Sequence, residues 1–387
     1  MRVAHIVGAF SKLSETFIYD LVAESARQGI DAHVLTAEHV NAAERPFDAV
    51  HVLERLPEHH PKYARLRASG ERDALPGDQP DTALIREAYQ RLLKRIQPQV
   101  IHAHFGELGW LIAPVARRLQ IPLIVSFHGY DVSMLPRQPG WQKRYAFLLR
   151  VMALGIVVSE PMREIVMRLG AAADKVKIIH VGKDVSLYPQ KSLSYPLRQW
   201  ISVGRLVEKK GHADAIHAFA RLPDVPTRAL TIVGDGPEQP HLTALIERYQ
   251  LQDRVQLAGG VSHERVKQLM VEADAFILCS KTAKNGDSEG IPTVLMEAQA
   301  IGLPCVSTLH AGIAEAVPTE NRWMLAPEGD IDGVVRLVEQ VSQLDAATLA
   351  EIVGRARKKV VDDFSLAASV AQHSALYQAC QPPTVTR

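Results

Sequence analysis

The sequence predicts an α/β protein built as two tandem Rossmann-like doubly wound domains facing a central cleft. Three observations carry that expectation. Short apolar runs alternate with amphipathic segments almost from end to end, the rhythm of parallel sheets covered by helices on both faces. The rhythm breaks once, at "GKDVSLYPQKSLSYPLRQ" (182–199), and then restarts. A chain of 387 residues is also long enough to bury two cores of ordinary size.

Taken in order, "VAHIVG", "DAHVLTA", "VIHAHFG", "PLIVSFHG", "GIVVSE" and "KVKIIHVG" read as buried strands, rich in Val and Ile and closed by Gly or polar residues. "SETFIYDLVAESARQG" and "TALIREAYQRLLKRI" carry helical spacing between them. The piece from about 53 to 81, rich in Pro, His, Arg and Gly, has weak periodicity and is expected to be an excursion on the first domain. Two prolines and several serines mark 182–199 as the linker. Beyond it "WISVGR", "ALTIVGDG", "VQLAGG", "AFILCS" and "PCVST" give the strands of the second domain. The expected domains are 1–185 and 186–363.

Composition narrows the function. Hydrophobic residues at 47% and charged residues at 22% describe a soluble globular chain. A net charge of +1 lacks the basic footprint of a nucleic-acid binder. Cys279, Cys305 and Cys380 form no C-x-x-C pair, which suits a reducing cytoplasm and argues against a zinc site or disulfide framework. "MRVAHIVGAF" reaches Gly8 too soon for a signal-peptide core and reads as a first strand. No run approaches the roughly 18 apolar residues of a membrane span, so any membrane contact is expected to be peripheral. "WQKRYAFLLRVMALG" (141–155) has two readings, a surface-seeking helix or a core helix with a basic edge.

Doubly wound sheets bind ligands beyond the carboxyl ends of their strands, and the candidate segments all follow such ends. In "GDSEGIPTVLMEAQAIGLP" (286–304), Pro292 suits the first turn of a helix, placing Gly290 and Ile291 at its start. That N-terminus, running into Thr293, is suited to an anion. Glu289 falls in the entry loop and Glu297 inside the helix, where Val294, Leu295, Met296, Ala298 and Ala300 leave little polar face. A solvent-facing Glu is the plain alternative, but a buried carboxylate needs donors, and a ligand's hydroxyls would supply them. In "SVGRLVEKKGH" (202–212), Gly204 and Arg205 close a strand and Lys209 and Lys210 follow, the residue types of a diphosphate clamp, with a solvated basic turn as the plain alternative for the lysines. "GDGP" (234–237) is a lone G-x-G turn without the full dinucleotide fingerprint.

In the first domain, "FHGYD" (127–131) sets His128 and Asp131 after a strand, and "HAHFG" (102–106) does the same with His104. An H-x-H can bind a metal, but no carboxylate is fixed by the spacing, and His102 reads as a satisfied core histidine. In "SKLSETFI" (11–18), Ser14 is a plausible N-cap, Glu15 follows it and Phe17 is expected in the core.

With these segments in order, the chain resembles the retaining glycosyltransferases of the GT-B fold. Glu289 and Glu297 match the E-x7-E signature of the large family 4-like group, and Arg205 with Lys210 match its "GR…KG" segment. "SETFI", "HAHFG", "FHGYD", "NGDSEGIP" and "HAGIAEAV" look like the subgroup that builds bacterial exopolysaccharides, such as colanic acid and amylovoran transferases. The resemblance covers nearly the whole chain and extends to "DDFSLAASVAQHSALYQAC", a final helix (about 364–381) crossing back to the first domain.

The resemblance implies an acceptor-binding first domain and a nucleotide-sugar-binding second domain. Glu297 would hold ribose hydroxyls and Glu289 a hydroxyl of the donor sugar. Arg205 and Lys210 would neutralise the diphosphate, with Gly204 and the amides from Gly290 to Thr293 assisting. His128 would contact the sugar, Val261 would lie by the nucleobase, and Ser14, Glu15 and His104 would face the acceptor. No metal or other cofactor is expected. The partners implied are a nucleotide-sugar, UDP-linked by preference with GDP-mannose open, and a saccharide or lipid-linked acceptor; the product would keep its anomeric configuration. Two departures stand out: "SKLSE" replaces a common glycine pair, and "GKD" (182–184) has Lys183 where an apolar residue is usual, expected to touch only the linker. The rival readings are a nucleotide-sugar epimerase or hydrolase of the same fold and a nicotinamide oxidoreductase. The second lacks any G-x-G-x-x-G with a downstream acid.

Overall fold

The computed structural model describes residues 1–54, 80–193, 195–225 and 227–380. Most of the expected excursion therefore lies outside the described residues. The chain divides into two compact units: Met1–Gly182 with Leu366–Arg387, and Lys183–Ser365.

The first unit is a seven-stranded sheet of β1 (Arg2–Phe10), β2 (Asp31–His39), β3 (Val50–Val52), β4 (Val100–His104), β5 (Leu123–Ser126), β6 (Leu154–Val157) and β7 (Val176–Ile178). Its order is β3-β2-β1-β4-β5-β6-β7 and every pairing is parallel. Both faces are covered, so successive residues of one strand enter different cores. Ile101 and Ala103 join Leu35, Val125 and Leu148 on one face. Val100 and Val3 join Ile124, Ile156 and Tyr377 on the other. Each such aliphatic side chain, fully buried, stabilises the fold by roughly 1.5–3 kcal/mol. Tyr377 comes from the final helix Leu366–Ala379, which also packs on the helix Thr16–Arg27.

The second unit repeats the plan with β8 (Gln199–Val203), β9 (Ala229–Val233), β10 (Val255–Gly259), β11 (Ala275–Leu278), β12 (Cys305–Leu309) and β13 (Leu325–Pro327), in the order β10-β9-β8-β11-β12-β13. In each unit the winding reverses beside the first strand, between β1 and β4 and between β8 and β11. Loops leaving those strands diverge at their carboxyl ends, which opens room for a ligand.

Of the two readings of 141–155, the core helix with a basic edge is the one found. The helix within 141–155 is Trp141–Val151, and Tyr145, Leu148 and Leu149 are buried in the core of the first unit. Its apolar side is thus already used, and Arg144 lies over the rings of Trp110 and Trp141. The boundary between the units falls at the start of the segment 182–199, in which Lys183, Tyr188 and Leu197 are buried. Strands β3 and β13, three residues each, were not among the expected strands. Among the described residues, no helix is long and apolar enough to cross a membrane.

Candidate functional site

In the second unit the candidate residues gather on loops at the carboxyl edge, stitched to one another by backbone bonds. The N–H of Gly204 donates to Val233, that of Leu206 to Asp235, and that of Gly234 to Gly259, at 3.0, 2.6 and 2.9 Å. Glycine is required where these loops touch: a Cβ at Gly234 would stand 1.9 Å from the Gly204 carbonyl, and one at Gly211, where φ is +66°, 1.7 Å from that of Cys279. So the G-x-G turn, weak as a motif, holds the loop that carries Arg205. Gly204 leaves room for the Lys210 stem, which passes 3.2 Å from where a Cβ would sit. Arg205 is exposed and forms no ion pair among the described residues. Val261 follows β10 and is half-buried.

The helix of the acidic pair runs Thr293–Ile301, so Pro292 sits at the N-cap, with extended backbone, rather than in the first turn. Gly290 and Ile291 are accordingly in the entry loop and buried, and Thr293 is the first helical residue. Lys210 Nζ lies 2.9 Å from Glu289 Oε1, and its ammonium donates to that buried oxygen. Burial alone would push the Glu289 carboxyl up; the ammonium groups of Lys210 and then Lys209 outweigh it and hold the group below its usual range. Lys209 itself pairs with Asp287 at 3.0 Å. The Glu289 backbone N–H donates to His310 Nε2 at 3.1 Å, so that nitrogen is bare, and the ring proton on Nδ1 points at Glu328 Oε2, 2.8 Å away. His310 and Glu328 were not singled out from sequence, although "HAGIAEAV" was quoted; nothing in its spacing shows which backbone it supports.

Glu297 is buried, 5% exposed, on the second turn of its helix. Its partner is Lys183, 3% exposed, whose Nζ is 2.7 Å from Oε1. This overturns the expectation that Lys183 touches only the linker. Burial would raise the Glu297 carboxyl, but the Lys183 charge and hydrogen bond, His263 and the Tyr188 hydroxyl bring it below the usual range.

In the first unit, β4 and β5 deliver a set of buried rings. His5 Nδ1 lies 3.2 Å from His104 Nε2, while His102 is hydrogen-bonded at 2.7 Å on both nitrogens, to Tyr377 and Ser126. His5, His102 and His104 bring one nitrogen each within 4.8 Å of one another, the group among the described residues able to hold a metal. Their mutual and neighbouring hydrogen bonds already account for most of those nitrogens; His5 was missed in the sequence because the lone His sits inside an apolar strand. His104 is fully buried rather than at a surface, and it lines a cavity of about 30 Å³ with His128, Phe17 and His373. Burial, then the neighbouring His373, lowers His128 to about 3, so its ring is neutral at ordinary pH. His128 Nε2 is buried without a partner; the ring is tilted against Phe17 and edge-on to Phe105, with centroids 4.8 and 4.7 Å apart.

Asp131 fixes this loop. Its carboxylate accepts the N–H groups of Gly106, His128 and Gly129 at 2.9–3.0 Å. Glu107, beside it and not singled out from sequence, is raised to about 8 by burial and by the Asp131 charge. Ser14 does not cap the helix: it lies in the 3-10 turn Leu13–Glu15, and Glu15 stands at the N-cap position with its side chain on Lys12, 3.3 Å away. Phe17 is half-buried, and the core position belongs to Ile18. A hollow of about 850 Å³ around Pro122, Arg150 and Ala153 lies at the amino-terminal edge of the sheet and holds none of these residues.

Residues 14–187 match the family described as Glycosyltransferase Family 4, and residues 189–359 match glycosyl transferases group 1. A protein of Escherichia coli K12, named for colanic acid biosynthesis as glycosyltransferase WcaL, is 37% identical over 273 residues, 69% of this chain and 67% of that one. The chain belongs to this glycosyltransferase family. The amylovoran biosynthesis glycosyltransferase AmsK of Erwinia amylovora is 34% identical over 278 residues, covering 70% of this chain and 68% of its own. Among solved structures, Anabaena HepE in complex with UDP and glucose superposes with a TM-score of 0.77 at 20% identity, over 98% of this chain and 100% of that one. At that identity the likeness bears on the fold, which is GT-B. The protein is a glycosyltransferase.

Proposed function

We propose that this glycosyltransferase moves a hexose from a nucleotide-sugar, UDP-linked by preference, to a saccharide or lipid-linked saccharide acceptor in bacterial exopolysaccharide biosynthesis, with retention at the anomeric carbon. The observation that carries the reading is Glu289: a buried carboxylate kept charged by Lys210, just before a helix N-terminus. A sugar hydroxyl donates to that carboxylate, and the leaving diphosphate meets Arg205, Lys210 and the helix end. Colanic acid and amylovoran in the relatives' names, and UDP with glucose bound to the structural neighbour, support the pathway and the donor.

In this reading the acceptor hydroxyl attacks the anomeric carbon on the face the diphosphate leaves. The bond to the diphosphate oxygen breaks as the new glycosidic bond forms, and the hydroxyl proton passes to that diphosphate. Fixed positive charge near the leaving group takes the place of a metal ion. His128, being neutral, serves the sugar as a hydrogen-bond partner, not a cation. Glu297 takes the ribose, Val261 the nucleobase side, and Ser14 and Glu15 the acceptor side, with His104 behind His128. A lipid-linked acceptor would bring the first unit to the cytoplasmic membrane surface.

The test is transfer from UDP-glucose, UDP-galactose and GDP-mannose to lipid-linked saccharides in excess chelator, with the product's anomeric configuration read by NMR. A retained product from a UDP-sugar is expected. Transfer from GDP-mannose alone would move the donor, an inverted product would remove the mechanism, and sugar release or epimerisation without acceptor would favour the rival reading.

A further inference from the structure

The second unit begins with a residue that the glycosyltransferase reading does not use. Lys183 is 3% exposed and its ammonium lies 2.7 Å from Oε1 of Glu297, itself 5% exposed. A lysine this buried loses its hydration and its side-chain freedom, a cost that a core position gains nothing by accepting. Its backbone is also pinned: the Lys183 N–H donates to the Phe364 carbonyl at 2.7 Å, and Lys183 bridges to Ser365. The ammonium is therefore delivered to Glu297 from a fixed point.

We infer that Lys183 is a positioning residue for the nucleotide: it occupies one oxygen of Glu297 and keeps the carboxylate charged, so that the other oxygen receives a ribose hydroxyl. This rests on the assignment of Glu297 to the ribose. The groups facing Glu297 are Lys183, Tyr188 from the segment after Lys183, and His263 from the helix His263–Glu272. Tyr188 and His263 also approach each other, 3.5 Å from hydroxyl to Nε2. With Lys183 replaced by Met, burial, the largest influence on Glu297, is left opposed only by these weaker neighbours, and the carboxyl takes up a proton. A protonated carboxyl has lost half of its capacity to accept, so ribose recognition weakens and becomes pH-dependent.

The experiment is calorimetric binding of UDP and 2′-deoxy-UDP to the full chain and to Lys183→Met, Lys183→Arg and Glu297→Gln, at pH 7 and pH 9. Wild type is expected to prefer UDP at both pH values. Lys183→Met should lose roughly ten- to a hundredfold in UDP affinity at pH 7, the size of a hydrogen bond to a charged group. It should lose its preference over the deoxy ligand and recover part of both at pH 9, while Lys183→Arg keeps most of the preference. A double variant Lys183→Met/Glu297→Gln removes both buried charges together, which guards against misfolding of the single variant. It should bind no worse than Glu297→Gln alone. If Lys183→Met keeps the wild-type preference, or the two losses add in the double variant, Lys183 has no part in ribose binding. If Glu297→Gln itself keeps the preference, the ribose assignment falls, and the role of Lys183 falls with it.

Discussion

The two units bury titratable side chains at the same place in the same fold, yet they hold them in opposite states. In the second unit Glu289, Glu297 and Asp287 each have an ammonium group within 3.0 Å, and Glu289 and Glu297 are held below their ordinary range despite burial. In the first, His5, His102, His104, His128 and His373 are packed ring against ring, and burial keeps all five neutral. Under the proposed function, the edge assigned to a charged diphosphate is built from paired charges that a ligand can re-share. The edge assigned to uncharged hydroxyls is built from neutral rings able to donate and accept.

The comparison breaks most visibly at Glu289. Glu289→Gln keeps the shape and removes the charge, so transfer should fall on the order of 10²–10³-fold, the scale for losing one transition-state contact. UDP affinity should fall less than in Arg205→Ala, because the ligand proposed for Glu289 is the sugar. An equal loss of UDP affinity in both variants would contradict that division of labour.

A smaller effect, read per pH unit, separates the units. Each of these five imidazoles is depressed below its unfolded value of 6.5, to about 3 for His5 and His128. The stability they provide is full above pH 6.5 and is lost as pH falls toward those values, at about 1.4 kcal/mol per pH unit for each net proton. Glu107, raised to about 8, and Asp131, also raised, oppose the loss but are outnumbered. In the second unit Glu289 and Glu297 are depressed from 4.5, so their contribution is lost only below that value; His212, lowered to about 4, is the chief imidazole there. Hydrogen exchange, corrected for intrinsic rates, should show the first unit losing protection between pH 7 and pH 5 well before the second. Equal losses would mean that the histidine cluster is not held neutral.

The sequence carried the fold class because two-sided burial leaves an unmistakable trace: eleven quoted apolar runs fall on strands β1, β2, β4–β12, and only the three-residue β3 and β13 escaped. It also brought Arg205, Lys210, Glu289 and Glu297 to one sheet edge. What it misread shares a cause. Lys183 looked like surface because a lysine in a Pro- and Ser-rich stretch ordinarily is one, and its partner lies over a hundred residues away. His310 supports a backbone N–H, which leaves no side-chain pattern, and Ser14 had the chemistry of a cap while the chain takes a 3-10 turn there. Pairings between distant loops are set by the winding of the sheet, and no local spacing encodes them.

The most direct test of the account is calorimetric titration of the purified chain with UDP, GDP, ADP and NAD in excess chelator. Binding of UDP without metal, in preference to the other three, is the predicted result. Binding of NAD alone, or UDP binding that vanishes with the chelator, would contradict the site built here from Arg205, Lys210 and the two glutamates.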